Sequence, residues 1–478
     1  MPGVPSSRST APAAAGSGEF ATPERTGRGG LELAPFRGVR YHPGKVADLA
    51  AVTSPPYDVV DPGGVAALEG EHPHNVVRLI LPREETCGPE GRYAHAAATL
   101  RSWQADGVLV SDAEESLYVY EQTSAGVAQR GLLGGLGLRA PEDRVVLPHE
   151  DTMPGPVADR LELMRATQAN LEPIFAVYDG GGEASALVDE VVRERPPLLA
   201  ATTSDAVTHR LWQVSGQAEL DRVKADLVGR RAVIADGHHR YAAYRRLQRE
   251  RHVAGDGAGP WDYGLTLLVD SAVYPPQLRA VHRVVPHLPA ERAAAEAARG
   301  FAVREVSGDL DTVLQSLALA GAGSDAGAGT GAGAGSDAGA GSGPGAGAGK
   351  RGPAFLLAGQ GRWWLLTEPD AALLQRTLPP HRSARWRAQD AAVLHETMLP
   401  ALWGGSADDL GVTYHHTAES AVASAERGGG CVVLLNPSTV ADVLEVSAQG
   451  ERMPRKSTSF GPKPRTGFVL RTLSPQPG

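Results

Sequence analysis

The chain has 478 residues, 42% of them hydrophobic, which is enough for two or three domains with sizeable cores and excludes a protein disordered throughout. Forty-six basic against 55 acidic residues leave a formal net charge of −9, which argues against a general polyanion binder and so against nucleic acid as a partner. Only five of the basic residues are lysines (Lys45, Lys224, Lys350, Lys456 and Lys463), and Cys87 and Cys431 are too few for a disulfide framework or a cysteine-built zinc site.

The first 30 residues, rich in Pro, Ala, Gly and Ser, lack the continuous apolar core of a signal peptide, and no later run reaches transmembrane length. The expectation is a disordered leader on a cytoplasmic protein with no membrane segment. From Leu31 the sequence turns strand-like. Prolines at 55, 56 and 62 rule out a helix across 52–62 and leave Asp58 and Asp61 in a rigid extended loop, either held by its own Asx bonds or presenting carboxylates to a site. Residues 76–81 predict a strand, 93–106 an amphipathic helix, and 117–121 with 132–138 an antiparallel ribbon. His149, Glu150, Asp151 and Thr152 then precede a Pro-Gly-Pro break, after which Asp159 and Arg160 open a helix. A carboxylate beside a histidine in such a loop could act as general acid or base; equally, Asp159 could complement a helix dipole and His149 be a loop histidine. Strands are expected at 172–178 and 207–214, and a helix at 220–227.

Residues 231–247, RAVIADGHHRYAAYRRL, change character most abruptly. A buried-type strand at 232–235 meets the turn dipeptide Asp236-Gly237, and helical spacing begins at His238 with Tyr241, Tyr244 and Leu247 on one stripe. Glycine lets backbone approach a ligand, and the first helical turn leaves N–H groups free with a partial positive charge behind them. His238, His239 and Arg240 at that end oppose the macrodipole at roughly 0.3–1 kcal/mol each, a penalty that a bound anion reverses. The competing reading has Asp236 as a cap, exposed histidines, and Arg240 paired with a carboxylate. Metal ligation is the other competitor: adjacent helical histidines point roughly 100° apart, but Asp236 with His238 could share an ion if His149 or Glu150 came near.

Further on, strands are expected at 263–270 and 278–285. Residues 318–350 collapse to Ala, Gly, Ser and Asp, a flexible insertion or linker. A hairpin at 354–358 and 362–366, a helix at 389–403, a strand at 431–435 and a helix at 438–446 capped by Ser438 follow. The stretch 453–470 then sets Lys456, Ser457, Thr458, Lys463 and Arg465 among prolines, either as a phosphate-side wall or as solvated tail residues. The expected organisation is a mixed α/β main lobe over 31–317 and a smaller α/β lobe over 351–478. No Gly-x-Ser-x-Gly elbow near a usable strand, Walker loop or GxGxxG fingerprint accompanies it.

The strings APFRGVRY, SPPYDVV, PHNVVRL, PHEDTMP with DRLELMRA, ADGHHRYAAY, DAAVLH and MPRKSTSFGPKP together resemble, in that order, the prokaryotic family termed domain of unknown function 1015, over residues 34–473 without the Ala/Gly insertion. Residues 237–244, GHHRYAAY, are also similar to the nucleotide-binding box of the ParB and sulfiredoxin superfamily. Sulfiredoxins carry a catalytic cysteine where this chain has His238, so sulfinic-acid repair is not implied. No helix-turn-helix of the partition type accompanies the box. That resemblance implies a ParB/sulfiredoxin-like core in which Gly237 allows close approach and His239 and Arg240 contact phosphates; the site expected around it adds the N–H groups at His238, Lys456, Ser457 and Thr458 on the phosphate side, and Asp58, Glu150, Asp236 or His238 for the chemistry. The expected function is a phosphotransferase acting with ATP or ADP and magnesium, the latter on Asp236 or Glu150, upon a small hydroxylated metabolite. The alternatives are a regulatory nucleotide-binding protein without turnover and a metal-dependent hydrolase.

Overall fold

A computed structural model describes residues 29–84, 91–322 and 352–473. The leader up to residue 28, Cys87 and most of the Ala/Gly segment lie outside the described residues.

The larger sheet has nine strands: β1 (Leu33–Ala34), β2 (Leu117–Ser124), β3 (Val127–Gly137), β4 (Val146–Pro148), β5 (Ile174–Tyr178), β6 (Leu199–Thr202), β7 (Thr208–Val214), β8 (Ala232–Asp236) and β9 (Tyr263–Asp270). Their order is β4-β8-β5-β9-β3-β2-β7-β6, with β1 against β3; β4 and β8 are parallel, as are β5 and β9, and the other pairs are antiparallel. Strand β8 reads as an unbroken apolar run because both faces of the sheet are covered there. Ile234 packs with Leu161, Tyr241 and Tyr244 on one face, and Val233 with Phe175 and Phe460 on the other. The register of β8 against β5 slips between Ile234 and Asp236. Such a bulge re-aims the last side chain of the strand, here Asp236.

Three helices matter for the site: α1 (Pro62–Glu71), α2 (Pro154–Thr167) and α3 (His238–Val253). The sequence of α3 has no β-branched residue before Val253, and its buried Tyr241, Tyr244 and Leu247 seat it on the sheet. Helix α2 packs along it.

The second sheet has six strands: β10 (His282–Val285), β11 (Ala302–Val306), β12 (Phe355–Gly359), β13 (Arg362–Thr367), β14 (Thr413–His415) and β15 (Cys431–Leu435), ordered β11-β13-β12-β15-β10-β14 and wholly antiparallel. It draws strands from both sides of 323–351, so the break in composition falls inside one sheet. The chain end returns to the larger sheet's side of the molecule: Ser459–Gly461 pairs with Gln277–Arg279, Thr466 with Ser54, Leu470 with Val39, and Arg471–Thr472 with Ala169–Asn170. Trp386, Val443 and Val446 join the same core as Phe175 and Val233.

Several expected elements differ. The run 76–81 is a helical turn, Val77–Ile80, because Asn75 starts it: its side-chain oxygen accepts from the Val77 N–H at 2.9 Å while its amide donates to the Ala51 and Thr53 carbonyls. A short, fully buried apolar run has no periodicity to separate the two outcomes. Pro-Gly-Pro is the first turn of α2, where proline lacks only an N–H that would be unsatisfied anyway, so Asp159 lies beyond that turn and pairs with Arg92, Tyr93 and Arg160. Residues 278–285 divide between two sheets. Residues 318–322 are still helical, within Leu310–Ala322. Thr439, in a capping box with Asp442, caps the helix Val440–Ala448, and Ser438 donates instead to Gln389. The helix over 389–403 continues beyond Val393 as a wider π turn through Pro400.

Candidate functional site

Gly237 is the N-cap of α3 at φ 90°, ψ 29°, a left-handed conformation that a side chain resists. A Cβ there would also come within 3.0 Å of the Arg240 guanidinium. Among the described residues no side chain caps α3, and its first turn contains no acid, so the positive end of this 16-residue helix meets no side-chain cap there.

Around this turn runs a chain of alternating charges. Arg240 Nη2 meets Asp236 Oδ2 at 2.5 Å, Asp236 Oδ1 meets Lys463 Nζ at 2.5 Å, and Lys463 Nζ meets Asp58 Oδ2 at 2.6 Å. Burial opposes the charge on Lys463, but Asp236 and Asp58 outweigh it and raise its pKa. Burial likewise pushes Asp58 up, and Lys463 and Arg240 more than reverse this, leaving it lowered. Asp61 is no part of the chain; it caps α1 by accepting from the Gly64 N–H at 2.7 Å.

Arg240 is only 3% exposed, and its Nη1 donates to the Pro173 carbonyl. The guanidinium therefore anchors Asp236 and is not at the mouth, contrary to the expectation that it grips phosphate. Behind it, the Tyr57 ring lies against the guanidiniums of Arg160 and Arg240, 4.2 and 5.8 Å from the ring centre, and the Tyr57 N–H donates to Glu172 at 2.9 Å. Arg160 also sits 3.5 Å from Glu172. Burial pushes the Glu172 carboxyl up, and the two guanidiniums and the Tyr57 N–H only partly offset it, so its pKa stays raised.

The histidines are fixed from the backbone. His149 Nδ1 lies 2.6 Å from the Ile234 carbonyl, which can only accept, so Nδ1 carries the proton and Nε2, 3.0 Å from Thr458 Oγ1, accepts. The His149 N–H donates to His238 Nε2 at 3.2 Å, and the Met153 N–H donates to His239 Nε2 at 3.1 Å. Burial pushes His149 down to about 4 and His238 well below its ordinary value, so both are neutral at pH 7. His238 is thus a packed, buried ring and is not exposed at the mouth. His239, half-buried, is lowered by burial despite Glu150 and Asp58.

Glu150 is the carboxylate left over. Its pKa is raised by burial and by Asp236, against Lys456, Lys463 and His239. Among the described residues its one contact at ion-pair range is 3.9 Å to His149, which is neutral. Lys456 is exposed and at φ 53°, Ser457 is buried with its hydroxyl unpartnered, and Thr458 belongs to His149. His416, on the second sheet's side, feels Lys456, Lys463 and Asp58.

Asp58, Asp236, Gly237, His239, Glu150 and Lys456 therefore surround one turn, while His238 and Arg240 lie beneath it. Lys463 was expected only as part of a phosphate-side wall, and its place between Asp58 and Asp236 is new; His416 is the neighbour that sequence reasoning passed over. No group of three His, Cys, Asp or Glu able to hold a metal ion occurs among the described residues, and Asp236 and His238 are each committed elsewhere, so the proposed Asp236–His238 metal pair is not formed. A cavity of about 580 Å³ lined by His287, Gly359, Val422 and Gly430 lies elsewhere, in the second sheet.

The family described as "Protein of unknown function (DUF1015)" matches residues 33–392. The chain belongs to this family. Lys456 and Lys463 fall beyond the matched residues. No curated protein matches. Among solved structures, a free serine kinase mutant in complex with ADP is 13% identical with a TM-score of 0.33, over 69% of this chain and 88% of that one. SbnI with C-terminal truncation from Staphylococcus aureus is 11% identical with a TM-score of 0.32, over 70% and 85%. A conserved hypothetical protein from Pyrococcus furiosus is 14% identical with a TM-score of 0.29, over 66% and 87%. At such scores these likenesses carry no weight in the functional argument. Among the described residues no helix is long and apolar enough to cross a membrane.

Proposed function

We propose that this protein is a nucleotide-dependent phosphotransferase that seats the phosphates of ATP or ADP at the start of α3 and passes a phosphoryl group to a hydroxyl of a small metabolite. The observation that carries this reading is the N-terminus of α3, opened by Gly237 and, among the described residues, without a side-chain cap or a first-turn acid, beside an exposed Lys456 and a Glu150 whose contact at ion-pair range is the neutral His149. Free N–H groups and a helix dipole favour phosphate oxygens. Lys456 adds a mobile point charge. A carboxylate with a raised pKa in reach of the seat suits a base that takes the acceptor's proton.

Asp236 is unsuited to that role, because both its oxygens face cations. Its part is to hold Lys463 against the seat, with Arg240 holding Asp236 in turn. Magnesium commonly binds through one or two carboxylates together with substrate phosphates, so with Glu150 serving as the base the ion would be held chiefly by the nucleotide's own phosphates. A regulatory module without turnover shares the phosphate seat and differs in having no use for Glu150.

The test is a thermal-shift screen of the whole protein against ATP, ADP and CTP, each with and without magnesium, followed by phosphoryl transfer to a panel of small hydroxylated metabolites. The reading expects a nucleotide to raise Tm, and Glu150→Gln to retain that shift while losing transfer. Absence of any nucleotide shift defeats it; a shift without transfer to any acceptor favours the regulatory module.

A further inference from the structure

Arg283, in β10, is 1% exposed and forms no ion pair among the described residues. Its guanidinium is committed to backbone oxygens. Nη1 donates to the Val281 carbonyl, and Nη2 donates to the carbonyls of Arg455 at 3.2 Å and Lys456 at 3.0 Å, with His395 Nε2 at 3.3 Å. Tyr414, directly opposite in β14, lies 5.3 Å from the guanidinium, and the His395 ring stacks on it at 6.3 Å. A buried guanidinium is a costly way to hold two loop carbonyls unless their position matters.

The held residue is Lys456 at φ 53°, a conformation unfavourable for a side chain other than glycine, asparagine or aspartate. Two residues on, Thr458 is tied to His149 and through it to the Ile234 carbonyl of β8, just before the Asp236-Gly237 turn. The loop is therefore fastened at one end to the second sheet and at the other to the strand that carries the phosphate seat. Between the fasteners, Lys456 acts on both Glu150 and His239.

We infer that Arg283 is a positioning residue: it pins the backbone of Lys456 so that the ammonium faces Glu150 and His239, and thereby makes the second sheet part of the site. The inference rests on reading Lys456 as the phosphate-side cation, but its geometric content can be measured without nucleotide.

The experiment follows the NMR titration of His239 in ligand-free full-length wild type, Lys456→Gln, Arg283→Met and the double variant. Lys456→Gln removes a cation and raises the His239 pKa. Arg283→Met is expected to raise it in the same direction, and the double variant to go no further than Lys456→Gln alone. An Arg283→Met titration unchanged from wild type, or a shift that adds in full to that of Lys456→Gln, overturns the inference. ADP affinity gives the second arm: Arg283→Met should weaken binding about tenfold in the wild-type background and have no effect in the Lys456→Gln background. If wild type takes no ADP, the phosphotransferase reading fails while the titration still decides the role of Arg283. Should the Met variant not fold, Arg283→Lys keeps the charge but lacks the fork, and the same non-additive pattern is expected at smaller amplitude.

Discussion

Two clusters of charge meet at the start of α3, and they are built to opposite ends. Behind the turn, Arg160, Glu172, Arg240 and Tyr57 face one another, with Arg160, Glu172 and Arg240 each at most 6% exposed. In front of it, Lys456 is exposed and, among the described residues, Glu150 lacks a charged partner within ion-pair range and the Ser457 hydroxyl lacks a hydrogen-bond partner. The first cluster pairs its charges with one another and fixes the turn; the second leaves its groups for something else. The Asp236–Lys463–Asp58 chain joins them, so rigidity behind is delivered as preorganisation in front.

Substitutions should separate the two. The largest stability effect belongs behind: Arg240→Met leaves Asp236 with Lys463 alone and Glu172 with Arg160 alone, and should cost about 3–5 kcal/mol, read as a lower urea midpoint. A loss below about 1 kcal/mol would show that cluster to be ornamental. In front, Glu150→Gln should lower turnover at least about 100-fold with little change in nucleotide affinity, as expected of a base lost from proton transfer. Equal losses in kcat/KM and in ADP affinity would instead make Glu150 a binding residue. Lys456→Gln should weaken ADP about tenfold and leave the urea midpoint within about 0.5 kcal/mol of wild type; a large loss of stability would place Lys456 with the closed cluster.

Acid should act on the His149 tie between Thr458 and strand β8. His149 is neutral in the fold, with its pKa down at about 4, while in the unfolded chain it titrates near 6.5. Unfolded chains thus take up the proton first, so the stability present above about pH 6.5 declines as pH falls to about 4, by about 3 kcal/mol for this group. His209, His282 and His395 are also lowered to about 4 and add to the slope. Urea midpoints between pH 7 and 4.5 check the sign, and His149→Gln should remove its share; a midpoint constant over that range contradicts a neutral buried His149.

Much of the fold could be read from the sequence wherever the pattern was local. β8, the Gly237 turn and the stripe of α3 lie within 16 residues of one another, and apolar run, glycine and 3.6-residue spacing coincide there. The closed cluster could not be read, because Tyr57, Arg160, Glu172 and Arg240 are far apart in sequence and nothing local says that their side chains converge. Lys463 stood out in the sequence as a phosphate-side candidate, but its pairing with Asp236 across more than two hundred residues of chain could not be read. Arg240 was misplaced for a related reason. Its position in the first turn of a helix suggested an open mouth, but an Asp at i−4 and the Pro173 carbonyl draw it inward.

The central claim is that the front cluster is a phosphate seat, and isothermal titration of ATP and ADP into the full-length protein tests it most directly. The account predicts a single binding event that weakens with added salt, weakens in Lys456→Gln, and is lost when Lys463→Met removes the bridge between Asp58 and Asp236. Titrations without binding heat for either nucleotide, or affinities unchanged in both variants, would contradict it.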